Sequence, residues 1–293
     1  VPWGYTESTE GKEGDGVNKK MSKEITFGYA ISTVESRLLN NLDFMKQLAQ
    51  VDDPVVIVNQ FRDQPLDASA LGQNVQVINS KSRGLSKSRN VALKAIDVDF
   101  VMICDDDISL VPANIERIKK EIQKNPDCAL YFTRLQKTTG ELWRGNYEND
   151  AFSITSLNFS SKRRIQRINS MEQVYNLRFL SANQLIFNVD FGAGSSKFQL
   201  GEETLMSWSI LKAGGVLRYL PIVARIHPPL SSGSIFSVQH SKAVFAVQWK
   251  IFGLAGILTF AGYLLKAVRK TQKSWAQREN SALEKFNFPV EEK

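Results

Sequence analysis

At 293 residues, with 43% hydrophobic and 23% charged side chains, the chain is long enough for one large α/β domain with an appendage, or two small domains, around a sizeable core. Cys104 and Cys128 make no framework of spaced pairs, which favours a reducing compartment, and with only His227 and His240 beside them a structural zinc site is not expected. The formal net charge is +7, and nine Lys or Arg against four Glu from Ser241 onward put most of the excess in the tail. A basic tail favours an anionic membrane surface or nucleic acid. With no aromatic-basic interleaving, RNP-like pattern or recognition-helix signature, nucleic acid is not expected as a partner.

Residues 1–23, rich in Gly, Glu, Lys and Thr, read as a disordered segment lacking the apolar stretch of a signal peptide. Strands and helices then alternate. Ile25 to Ile31 reads as a strand, and Leu38 to Gln50 as a helix with Leu38, Leu39, Leu42, Met45 and Leu48 on one face. Pro54 to Val58 is a second strand, ending in Asn59-Gln60, and Val75 to Ile78 a third. Ser86 is positioned to cap a helix reaching Ile96, after which Asp99 to Cys104 is a buried strand. Strands joined by helical crossovers predict a mostly parallel, doubly wound sheet with helices on both faces.

Further on, Ala129 to Thr133 and Glu141 to Trp143 flank Thr138-Thr139-Gly140 as a hairpin, and the basic run Ser160 to Arg167 reads as a solvated face. Asn183 to Phe187 is an expected strand, followed by the glycine-rich loop Phe191 to Gly194. Gly201-Glu202-Glu203 opens a helix through Leu205, Trp208 and Leu211, closed by Gly214-Gly215, before a strand Val216 to Tyr219 and the pair His227-Pro228. Ala243 to Leu265 is apolar apart from Gln248, Lys250 and Thr259. Its uncharged part, Ile251 to Leu265, falls short of the roughly 20 residues that span a bilayer. Lys266, Arg269, Lys270, Lys273 and Arg278 follow directly, so the segment reads as an interfacial anchor, against a packed helix or a tilted span.

The strand Asp99 to Cys104 ends in Asp105-Asp106-Asp107. Three adjacent carboxylates repel one another unless something positive sits among them. A divalent cation carrying a diphosphate supplies that charge through oxygen ligands, at the carboxyl end of a strand where open α/β sheets bind ligands. An acidic turn capping the helix near Pro112 is the plainer alternative.

In order, the motifs GLSKSRN (Gly84 to Asn90), DDD and GEETLMSWSILKAGG (Gly201 to Gly215) resemble those of the family 2 glycosyltransferases with the GT-A fold, over about Ile25 to Pro229. These are a Gly-x-x-x-x-Arg-Asn loop, an Asp-x-Asp metal motif and a Glu-Asp base motif. The resemblance implies that Asp107 holds Mn²⁺ or Mg²⁺, with Asp105 toward the ribose or a metal water and His227 a further metal or phosphate ligand, or else a structural histidine. It implies that Ser32, Thr33 and Asn59 hold the base, Asn59 standing where the family usually has Asp. Gly84, Arg89, Asp105 and Asp106 complete the nucleotide-sugar contacts. Glu203 is the implied general base, with Glu202 the second candidate, and glutamate replaces the family's aspartate there. The implied division is a GT-A catalytic domain over 24–240 (donor half 24–110, acceptor half 111–240) and a membrane-associating tail over 241–293. The implied reaction is inverting transfer from a nucleoside diphosphate sugar, expected to be UDP-linked, to a saccharide acceptor, lipid-linked, in bacterial surface polysaccharide assembly at the cytoplasmic face of the membrane. A nucleotidyltransferase would carry a glycine-rich basic loop after the first strand, where Ser32 to Arg37 holds no glycine. A non-catalytic saccharide-binding relative would not need both the metal acids and the base.

Overall fold

The structure, a computed structural model, describes residues 24–67, 69, 71–229 and 237–269. The expected disordered segment 1–23 and the basic residues from Lys270 onward lie outside the described residues.

Valine, isoleucine and aromatic residues dominate β1 (Phe27–Val34), β2 (Val55–Gln60) and β4 (Phe100–Asp105), which are buried almost throughout, as a parallel sheet covered on both faces requires. With β3 (Val75–Ser80), β5 (Ser109–Leu110), β6 (Leu130–Lys137), β8 (Gln173–Asn176) and β9 (Leu217–His227) they form one sheet in the order β3-β2-β1-β4-β8-β6-β9-β5, and β7 (Phe152–Ile154) pairs with β9. The pairs β1/β2, β1/β4, β2/β3 and β6/β9 are parallel, whereas β8 runs antiparallel to both β4 and β6.

From β1 the chain moves outward to β2 through α1 (Leu42–Gln50). From β3 it returns past β2 and β1 to β4 through α2 (Leu85–Ala95), which packs on β1 and β2. Right-handed crossovers in opposite directions put these helices on opposite faces, so the order reverses between β1 and β4. That switch point is where open α/β sheets leave a crevice.

The remaining helices are α3 (Pro112–Lys124), α4 (Phe159–Ile165), α5 (Leu177–Ala182), α6 (Glu202–Lys212), α7 (Val238–Phe252) and α8 (255–269). The expected helix over Leu38 to Gln50 is split: a 3₁₀ turn covers Arg37–Asn40, and Asn41 then caps α1 by accepting from Phe44 N. The expected strand at Asn183 to Phe187 does not form. The Asn90 amide occupies the backbone groups a neighbouring strand would need, donating to Phe187 O and accepting from Phe187 N, both at 2.8 Å.

The apolar C-terminal segment is two helices broken at Gly253, whose φ is 59°. α7 buries Ala243, Val247, Gln248 and Ile251 and packs on α6, so the expected boundary at 240/241 falls inside a helix of the domain. α8 folds back along α7, with Phe260 5.1 Å from Phe245 and Thr259 Oγ1 donating to Gln248 Oε1 at 2.8 Å. Its outer face leaves Ile257, Leu258, Leu265 and Val268 exposed. Among the described residues no helix is long and apolar enough to cross a membrane.

Candidate active site

The ends of three parallel strands bring the expected nucleotide residues level with one another: Ser32 is in register with Asp105, and Thr33 with Asn59. The three consecutive acids turn to three different partners. Asp105 receives Arg89 Nη2 at 3.2 Å. Asp106 points inward and accepts from Thr33 Oγ1 at 2.7 Å, with Arg37 3.7 Å away. Asp107 faces His227, its Oδ1 lying 3.4 Å from Nε2. Splitting the cluster in this way relieves much of the repulsion that made it conspicuous.

Asp107 and His227 leave an unsatisfied pair. The carbonyl of Pro228 only accepts, so His227 Nδ1, 2.6 Å from it, carries a proton. Its Nε2 faces Asp107 Oδ1, a buried carboxylate oxygen that has no hydrogen-bond partner. Burial pushes the Asp107 carboxyl up, opposed by His227 and reinforced by Asp105 and Asp106. A cation placed there would satisfy that oxygen, so these residues fit a hard metal that completes its shell with substrate phosphates. Among the described residues no group of three or more His, Cys, Asp or Glu is arranged to hold a metal alone.

The Gly-x-x-x-x-Arg-Asn loop is held from several sides. Gly84, at φ 123°, is itself the N-cap of α2, so the expected cap Ser86 is not used that way; its hydroxyl donates instead to Phe191 O at 2.6 Å. Gly84 N donates to Gln60 Oε1 at 2.7 Å, and Leu85 N to Ala193 O at 2.8 Å. Ser88 Oγ donates to Ser32 Oγ at 2.8 Å, joining α2 to the end of β1. Asn59 is fully buried with its amide in use, accepting from Ser36 N and donating to Asn79 Oδ1, both at 3.0 Å. Ser32, Thr33 and Asn59 therefore shape the strand ends through side-chain bonds to Ser88, Asp106, Ser36 and Asn79.

Arg89 is 1% exposed and joins two motifs, with Nη1 2.9 Å from Glu202 Oε1 and Nη2 on Asp105. Burial alone would lower its pKa, but Asp105, Glu202 and Glu203 outweigh that and hold the guanidinium above its ordinary value. This side chain fixes the first turn of α6 against the tip of β4. Glu202 is buried and neutralised by it. Glu203, half-buried, has no such partner, and burial with the neighbouring Glu202 charge raises its carboxyl well above the usual range. A carboxyl with high proton affinity in the first turn of α6, which Arg89 ties to the tip of the acid strand, is suited to accept a proton.

Several contributors were not singled out from the sequence. Gln60 anchors Gly84. Gly192, at φ 105°, lets the loop after Phe191 lie against both Ser86 and Glu202, since an added Cβ would sit 3.1 Å from Ser86 Oγ and 3.2 Å from Glu202 Oε2. Met171 Sδ lies 3.2 Å from Asp105 N. Behind it Arg225, fully buried, donates to Ile103 O at 2.6 Å and ties β9 to the acid strand, while burial lowers its pKa. An Arg between Ala224 and Ile226 in a strand carries no local pattern that would have marked it.

Residues 49–187 match the family described as Glycosyl transferase family 2, a span that holds Asn59, the Gly84 loop and the acid cluster but ends before Glu202, Glu203 and His227. A comparison with curated proteins finds no match. Among solved structures the chain is similar to S. aureus TarS 1-349, at 17% identity and TM-score 0.57 over 78% of this chain and 66% of that one. The same TarS piece in complex with UDP-GlcNAc matches at 16% identity and TM-score 0.58, over 78% and 67% of the two chains. A longer TarS chain matches at 18% identity and TM-score 0.55 over 78% of this chain but only 40% of its own length. The chain thus spans about two thirds of the shorter TarS structures and less than half of the longer one. The match to glycosyl transferase family 2 thus covers residues 49–187, within a GT-A fold similar to that of TarS that continues on both sides of them.

Proposed function

We propose that the chain moves a sugar from a UDP-linked donor to a saccharide acceptor with inversion at the anomeric carbon. The observation that carries this reading is the buried Arg89 bridge, which sets the helix bearing Glu203 beside the strand bearing Asp105. Ser32, Thr33 and Asn59 form the strand ends on which the nucleotide rests, and Gly84 lets the backbone approach it. Mn²⁺ or Mg²⁺, held by Asp107 and His227 with Asp105 beside it, would neutralise the charge developing on the departing diphosphate. Glu203 takes the proton from the acceptor hydroxyl as its oxygen bonds to the anomeric carbon, opposite the breaking bond to diphosphate. Glu202, already paired with Arg89, holds the helix start in position. Asp106, bonded to Thr33, supports the crevice from beneath.

The acceptor in this reading is a lipid-linked saccharide of a bacterial surface polysaccharide, met at an anionic membrane on the cytoplasmic face. The exposed Ile257, Leu258, Leu265 and Val268 of α8, with Lys266 and Arg269 among them, suit an interfacial contact. The donor half is tested by calorimetry of UDP in Mn²⁺ and in EDTA. Wild type binds more tightly in Mn²⁺, and Asp107→Ala abolishes that difference with the fold kept. Equal affinity of wild type in both buffers overturns the metal-held donor.

A further inference from the structure

Away from the donor crevice, α4 and the strands β6, β7 and β9 enclose a cavity of about 400 Å³. Its floor is aromatic: Phe132, Phe152 and Tyr219 pack on one another with centroids 5.1 to 5.8 Å apart. Its walls carry Arg144, Arg163, Arg164 and Arg167, against Glu148 as the carboxylate of the lining. Glu148 reaches Arg164 at 3.5 Å, whereas Arg163 and Arg167 enter no ion pair among the described residues.

Arg144 adds a second, independent observation. It holds the buried Glu172 through Nη2 at 2.7 Å and lies 4.3 Å over the Tyr147 ring. Its Nη1 is buried with no hydrogen-bond partner. Buried guanidinium groups are ordinarily satisfied, so Arg144, a residue of the cavity lining, keeps one donor unused.

The cavity lies next to the reaction centre. Ile168 lines it, and Met171, three residues on and so at most about 11 Å along the chain, touches Asp105 N. α4, which carries the arginines, packs on α6, whose first turn carries Glu203. Phe159, Arg163 and Arg167 also line a second cavity, of about 580 Å³, against Phe252, Leu258 and Tyr263 of the C-terminal hairpin. With Phe159, Arg163 and Arg167 common to both linings, the two cavities adjoin across one basic groove wall.

We propose that this groove is the acceptor subsite and that the acceptor is an anionic saccharide, bearing phosphate or carboxylate groups. The inference rests on the transferase reading above. Guanidinium groups take phosphate or carboxylate in two-bond geometry, and Arg163 and Arg167 are exposed to do so.

The test is calorimetry on the full chain with a heparin-derived hexasaccharide as the anionic probe and maltohexaose as the neutral one. Arg163→Gln/Arg167→Gln is compared with a control of equal charge loss, Lys120→Gln/Lys124→Gln on the exposed face of α3. The anionic probe binds wild type and the control alike, the arginine variant weakens it at least tenfold, and the neutral probe binds far more weakly. UDP titrated into the same samples is unaffected. An arginine variant with wild-type affinity for the anionic probe, a control that loses as much, or equal binding of the neutral probe overturns the subsite. If the arginine variant instead loses only its binding to phosphatidylglycerol vesicles, the groove serves the membrane and the proposal is also overturned. Wild type that fails to bind UDP brings down the transferase reading itself.

Discussion

Arg89→Met keeps much of the side chain's length while removing the charge that joins the acid strand to α6. Arg89 and the Glu202 side chain are 1% and 6% exposed, whereas that of Asp105 is 30% exposed. Removing one partner of a buried pair strands the other, at a cost of about 3–5 kcal/mol. That cost falls on Glu202; Asp105, partly in water, adds at most about 1 kcal/mol. Against a typical stability of about 5–15 kcal/mol the variant still folds. Adding Glu202→Gln neutralises the stranded group, so the double variant is more stable than Arg89→Met alone, with a coupling of about 2–3 kcal/mol. Guanidinium denaturation of wild type, both singles and the double at pH 7 reads these differences. Additive effects, or a loss below about 1 kcal/mol for Arg89→Met, refute the bridge as the element that fixes α6.

Truncation after Phe252 removes α8 and the tail, leaves the domain folded with UDP binding intact, and abolishes recovery with anionic liposomes by sedimentation. Truncation before Ser241 strips most of α7 from the start of α6, where Val247 meets Gly201, and lowers Tm by several degrees in a thermal scan. The pH profile of turnover rises with pH through an apparent pKa above the ordinary carboxylate range, because Glu203 must first lose the proton that burial and Glu202 favour. A profile already flat at pH 5 argues against Glu203 as the base.

What was legible in the sequence was local. The ends of β1, β2 and β4 and the start of α6 follow from short apolar runs and glycines, so Ser32, Asn59, Asp105 and Glu203 fall where their spacing put them. What was not legible depended on partners distant along the chain. Nothing near Asp106 tells that it turns inward to Thr33, or near Arg89 that it serves Glu202, 113 residues away. Asn183 to Phe187 has strand-like residues, but the Asn90 side chain takes its backbone bonds first. The charge run Ser160 to Arg167 is the solvated face it reads as, with Arg163, Arg164 and Arg167 exposed, but nothing local tells that Phe132, Phe152 and Tyr219 lie beside it. The apolar stretch after Ala243 gives no warning that Gly253 folds it into a hairpin seated on α6.

The central claim, that Glu203 is the base of an inverting sugar transfer, is tested most directly by Glu203→Gln, with donor affinity and turnover measured on the same sample and the product's anomeric configuration read by NMR. The account predicts UDP-sugar affinity within about twofold of wild type, turnover lower by about 10²–10⁴, and inverted product from the wild-type enzyme. Near-normal turnover in this variant beside an inactive Glu202→Gln moves the role to Glu202, and product of retained configuration contradicts the mechanism outright.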